Sequence, residues 1–190
     1  MDDSALRKWV QMAFITNFTS PTTLDELIER YETFSGLTNI DLILRWHEFE
    51  GEWTVDKDAT IGDTVFFMCA VTSTDARHMG GVVKEARELG NPEILAYAQE
   101  ELELYKRFAG HIVAIGKVID EPYRADSGFE HPHWRSPWYA EIGDFHLLRN
   151  PVSIDRYRDF IKVSGTGAIT QLDDAQTARL LDLVAFENLA

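Results

Sequence analysis

The segment HPHWRSPWYAEIGD, His131 to Asp144, sets two tryptophans, a tyrosine and two histidines beside two prolines. Two chemistries suit these side chains. Neutral imidazoles bind zinc or nickel. Flat aromatic rings stack on planar ligands, at about 1–3 kcal/mol per stacked base. Metal binding is the weaker reading. No cysteine pair stands nearby and no His-x3-His spacing occurs. A proline between His131 and His133 rarely lets both rings converge on one ion. No metal ligand is therefore assigned.

The aromatic reading gathers more of the chain. Trp46, Trp53, Trp134, Trp138, Tyr123 and Tyr139 fall in or beside predicted strands and loops. Trp134 lies between Pro132 and Pro137, which marks a loop, and loops on a rigid scaffold carry function. Trp9 and Trp46, on apolar segments, read as core. The candidate wall for a planar ligand is Trp53, Tyr123, Trp134 and Trp138. A base edge also needs a polar reader, and an amide offers both donor and acceptor. Asn17 and Ser73 are the candidates, with Thr74 beside Ser73. The competing reading is that Asn, Ser and Thr simply form turns.

Catalytic motifs are missing from the sequence. It holds no nucleophile elbow, no P-loop and no Gly-x-Gly-x-x-Gly, and GTGAIT (Gly165 to Thr170) lacks the Lys-Ser/Thr of a phosphate cradle. No catalytic residue and no cofactor are assigned.

Composition narrows the classes further. The 190 residues suit one domain with a real core, and the 45% hydrophobic and 26% charged fractions are those of a globular chain. No run of about 18 apolar residues occurs, and the first residues lack a signal-peptide layout, so no membrane contact is expected. The single cysteine, Cys69, lies in TVFFMCAV and reads as a buried thiol in a reducing cytoplasm. The net charge of −14 disfavours a protein that coats duplex nucleic acid. Residues 106–162 are the exception, with nine Lys+Arg against eight Asp+Glu, a net of +1; the remainder carries nine against twenty-four, a net of −15.

The elements that must position these residues follow from periodicity. Lys8 to Ile15 reads as a first strand. Thr23 caps a helix, with Glu26 completing a capping box and Leu24, Leu27, Ile28, Tyr31 and Phe34 as its apolar stripe. Two short strands flank Gly51. A turn at Gly62-Asp63 feeds a strand over Val65–Val71. Asn91 and Pro92 open a second long helix, with Leu95, Ala98, Leu102 and Tyr105 on one face, and Gly110 ends it. Ile112–Ile119 and the segment PWYAEIGDFHLL read as further strands. Asp173, with Gln176 three residues on, caps a last helix. Strands clustered in pairs and triplets favour an α+β fold with a curved or closed mixed sheet.

Four segments in this order resemble the EVE domain of the PUA-like superfamily. They are KWVQMAFITNFTSPTTLDEL, IGDTVFFM, GHIVAIGKVIDEPYRAD and WYAEIGDFHLLRNPVSIDRYRDF. The resemblance implies a PUA-like mixed β-barrel with flanking helices, here spanning residues 1–190 with a helical insertion at 82–109. It also implies an aromatic pocket that captures a modified or flipped nucleobase, with Asn17 on the pocket side and Tyr123 on its rim. Two segments depart from the pattern. The family's Tyr-His-Ser after the Gly-Asp strand is Met68-Cys69-Ala70 here, and its closing Arg-Leu-Ser segment is GTGAITQL. A fold analogy can outlast a change of ligand.

The expected protein is thus a cytoplasmic ligand-binding domain. Its partner would be modified or single-stranded nucleic acid, or a nucleotide-like small molecule. The alternatives are a protein–protein interaction module using the acidic helices at 22–34 and 92–108, and a nuclease-type enzyme of the same superfamily.

Overall fold

The computed structural model describes residues 11–38, 41, 51–70, 75–125, 137–163 and 169–188. The elements in chain order are β1 (Ala13–Phe18), α1 (Leu24–Thr33), β2 (Glu52–Thr54), β3 (Thr64–Cys69), α2 (Asp75–Leu89) and α3 (Pro92–Phe108). There follow β4 (His111–Val118), β5 (Tyr123–Arg124), β6 (Trp138–Ser153), a 3-10 turn (Ile154–Arg156), β7 (Ile169–Leu172) and α4 (Asp174–Asn188). The strands run in the order β2-β6-β4-β3-β1-β7, with β5 against β6. β1 and β3 are parallel; the other pairs are antiparallel. The fold is α+β with a mixed sheet.

Local sequence signals account for the helix starts. The Thr23 hydroxyl accepts from the Glu26 amide at 3.1 Å. Glu26 reaches back to the Thr22 amide at 2.8 Å. Asn91 Oδ1 accepts from the Glu93 amide at 3.0 Å, with Pro92 at the first helical position. Asp173 and Gln176 form the reciprocal pair of a capping box, at 2.8 and 3.0 Å. Gly110, at φ 73°, turns the chain out of α3 in a conformation glycine adopts without strain.

The Gly-Asp turn acts as a latch. Gly62 sits at φ 95°. Asp63 is fully buried, and its carboxylate accepts from the Met12 amide at 2.8 Å and the Thr60 amide at 2.8 Å. One side chain thereby joins the entry of β1 to the entry of β3.

The sheet curls. β2 and β1 are four places apart in the strand order, a separation of about 19 Å if the sheet were flat. Yet Thr16 Oγ1 of β1 lies 3.3 Å from the carbonyl oxygen of Thr54 in β2. Strand β6 makes the bend. Its register against β4 shifts between Ile115 and Lys117 and again between Ile112 and Ala114, and Asp144 at the first shift has φ 45°. Such bulges add an unpaired residue and increase local bending.

Three apolar clusters result. The inner face of the curl holds Phe14, Phe18, Val65, Phe67, Cys69, Val118, Ala140 and Ile142. The opposite face holds Ile15, Phe66, Met68, Ile112 and Val152, covered by Tyr157, Ile161 and the α4 residues Leu180 and Val184. Leu27, Val82, Val83, Ala86, Ile94, Tyr97 and Ala98 join α1, α2 and α3. α3 bridges two of them, because Tyr105 at its far end enters the inner cluster.

Several expectations need correction. Of the strand expected over Lys8–Ile15, Lys8–Val10 lie outside the described residues, and β1 runs from Ala13 to Phe18, so Asn17 lies inside it rather than after it. Tyr123, expected on the rim of a pocket, lies in a two-residue strand. The stripe on α3 is buried at Ile94, Tyr97, Ala98, Glu101 and Tyr105; the expected Leu95 and Leu102 are only partly buried. ITQL, to which no element was assigned, pairs with β1 as β7. Among the described residues no helix is long and apolar enough to cross a membrane.

Candidate ligand-binding site

Strand register places the candidate rings. Trp53 pairs with Ala140, and Trp138 stands two residues before Ala140 on β6. Alternation along the strand puts both tryptophans on the inner face as diagonal neighbours, a spacing within reach of long aromatic side chains. Both are partly buried against the inner cluster. Trp53 meets Phe67 edge-to-face, with centroids 5.6 Å apart and planes at 70°. Phe67 meets Phe145 in the same way at 5.2 Å.

The polar end of Trp53 is also held. Its Nε1–H donates to Thr16 Oγ1 at 3.1 Å. Fully burying a large apolar side chain contributes roughly 1.5–3 kcal/mol, against about 0.5–1.5 kcal/mol for one hydrogen bond. Trp53 is only partly buried, so its packing and its hydrogen bond contribute comparably to holding β2 against the curled sheet.

Tyr123 stands elsewhere. It pairs with Tyr139, so its side chain shares the face opposite Trp138. The two tyrosine rings lie 6.1 Å apart, tilted by 32°. Tyr123 donates to Glu52 Oε2 at 2.7 Å. That bond, with burial and the Glu52 charge behind it, pushes the phenol up to about 12. Burial also raises Tyr139.

Asn17 is separated from the tryptophans as well. Phe14 and Phe18 face the inner cluster, while Ala13 and Ile15 face the α4 side. Alternation sends Asn17 with Ala13 and Ile15, and Thr16 with the phenylalanines. The proposed rim is thus split: Trp53 and Trp138 on one face, Tyr123 and Asn17 away from them. Trp134 and Ser73 lie outside the described residues, as do His131, His133 and Trp46.

Sequence reading missed Thr16 and Glu52. Thr16 carried a signal: a polar residue at the centre of the alternating Phe14-x-Thr16-x-Phe18 face. Glu52 carried none, because its partner is 71 residues away.

Among the described residues no group of three His, Cys, Asp or Glu side chains is arranged to hold a metal ion. An open depression of about 570 Å³ lies at the α2–α3 turn, lined by Leu89, Gly90, Asn91, Pro92 and Glu93. None of the candidate aromatic residues lines it. Exposed large apolar side chains include Leu181 and Phe186 on α4.

No family model matches the chain, and no curated protein matches it. A crystal structure of a protein from Agrobacterium tumefaciens, solved by a structural-genomics consortium, is similar over 91% of this chain and 92% of its own, at 11% identity and a TM-score of 0.43.

Proposed function

We propose that this chain is a PUA-like binding protein, similar to EVE domains, that captures a planar heteroaromatic ligand on Trp53 and Trp138. The ligand class is a nucleobase, modified or flipped out of a strand, of DNA or RNA. The observation that carries this reading is the diagonal pair of partly buried tryptophans on the inner face, one on β2 and one on β6. Partly buried indoles combine an anchored edge with a reachable ring face, and every base has a face to stack. The charge of −14 points the same way, since it disfavours binding through duplex phosphates.

The test is a calorimetric panel. Adenosine, cytidine and their methylated forms are titrated first, then a single-stranded oligonucleotide and a random duplex at physiological salt. Binding of a nucleoside or the single strand, weakened in Trp138→Ala, is the expected result. Tight binding to the random duplex, or no binding to any probe, would sink the reading.

A further inference from the structure

We infer that Thr16 is the positioning residue for Trp53: its hydroxyl fixes the indole orientation that the proposed ligand wall requires. The importance for a ligand rests on the reading above. The tie between the two residues does not.

Thr16 is a polar residue at 0% exposure on an otherwise apolar face. A hydroxyl buried without partners is costly, and this one is fully used. It accepts from Trp53 Nε1 at 3.1 Å and donates to the Thr54 carbonyl at 3.3 Å, with Thr54 Oγ1 at 3.4 Å as an exchangeable partner. All three contacts go to β2.

The anchor itself is rigid. Thr16 pairs with Phe67 on one side and with Ile169 on the other, so ladders on both sides hold its backbone. β2 is the opposite case. It has three residues and pairs with β6. Two groups that contact the indole are register partners. Thr16 takes its N–H, and Phe67 packs against its ring. A hydroxyl already committed to β2 is also a poor reader of a base edge, so Thr16 acts through Trp53 and not on the ligand.

Valine has the shape of threonine without the hydroxyl, and serine keeps the hydroxyl. The experiment uses the full chain and two readouts. The Trp53 indole proton is assigned by its loss in Trp53→Phe, and its solvent exchange is measured by NMR. Affinity is measured for adenosine, cytidine and their methylated forms. Thr16→Val is expected to speed indole exchange and to weaken nucleoside binding by up to about tenfold, while Thr16→Ser stays within about twofold of wild type on both. Should valine not be accommodated, Thr16→Ala carries the same expectation. Unchanged indole exchange in the variant lacking the hydroxyl overturns the tie, whatever the affinity does. Faster exchange with undiminished nucleoside binding, in that variant and in Trp53→Phe alike, upholds the tie and removes Trp53 from the ligand site.

Discussion

Tyr123 donates its phenolic hydrogen to Glu52 Oε2 across strand β6 at 2.7 Å. Both residues flank β6, one on β5 and one on β2, and they meet over the face opposite the two tryptophans. The bond explains why the rim inferred from sequence comes apart. Tyr123 is bound to a carboxylate on the outer face instead of closing a pocket on the inner one.

That bond has a pH signature. The phenol is raised from its ordinary 10.0 to about 12, first by the hydrogen bond to Glu52. A raised value means that the folded state holds the proton longer than the unfolded state. The contribution to stability is therefore complete below pH 10 and is lost as pH rises toward 12. A difference titration at the phenolate absorbance, wild type minus Tyr123→Phe, should show a component near 12. In Glu52→Gln that component should move back toward 10.0. A component already at the ordinary value in the wild type would show that the bond is not made.

The split between faces predicts a split between variants. Trp138→Ala should lower nucleoside affinity by about 1–3 kcal/mol. Tyr123→Ala should leave it unchanged, because that ring is on the other side of the sheet. Calorimetry on the two variants, with urea unfolding as a control for stability, decides it. Equal losses would mean that the ligand does not sit on the inner face.

Gly116 and Gly143 test the packing at the bend of β6. A Cβ on Gly116 would come within 2.6 Å of Ile142 Cγ2 and 3.3 Å of the Gly143 carbonyl oxygen. Ile142 is buried, so it has little room to yield. A Cβ on Gly143 would meet Ile119 atoms at 2.8 Å, but Ile119 is exposed and can swing away. Gly116→Ala should cost about 1–3 kcal/mol in urea unfolding, as overpacking does. Gly143→Ala should cost distinctly less. The reverse order would contradict this account of the bend.

Asp63 tests the latch between β1 and β3. Asp63→Ala leaves the Met12 and Thr60 amides without their acceptor. Both bonds are only part-buried, so water can take over part of the carboxylate's place, and the expected loss is about 1–3 kcal/mol in all. Asp63→Asn keeps one carbonyl oxygen and should lose less. Denaturant midpoints of the two variants give the comparison, and equal midpoints would show that the amides find other partners.

Local chemistry was legible in the residues alone. The caps at Thr23, Asn91 and Asp173, the turn at Gly62-Asp63 and the strands through Phe66 and Val113 all depend on neighbours a few positions away. So did the α+β class, which follows from the order of elements. Three things needed the folded chain. The length of β6 and its bulges depend on pairing with β4, and nothing in PWYAEIGDFHLL by itself carries the strand on to Ser153. The pairing of β7 joins Ile169–Leu172 to a strand more than 150 residues earlier, and a four-residue strand has too little local preference to declare itself. The face on which each aromatic lands depends on strand register, where a shift of one residue reverses every side chain. That is why sequence could nominate Trp53, Trp138, Tyr123 and Asn17 together, while the sheet sends the first two inward and turns the others away. Thr16 stood out in the sequence as a polar residue on an apolar face, but its partner Trp53 became visible only when the curl brought β1 under β2, because a hydrogen bond over 37 residues is made by the sheet's curvature and not by anything adjacent in the chain.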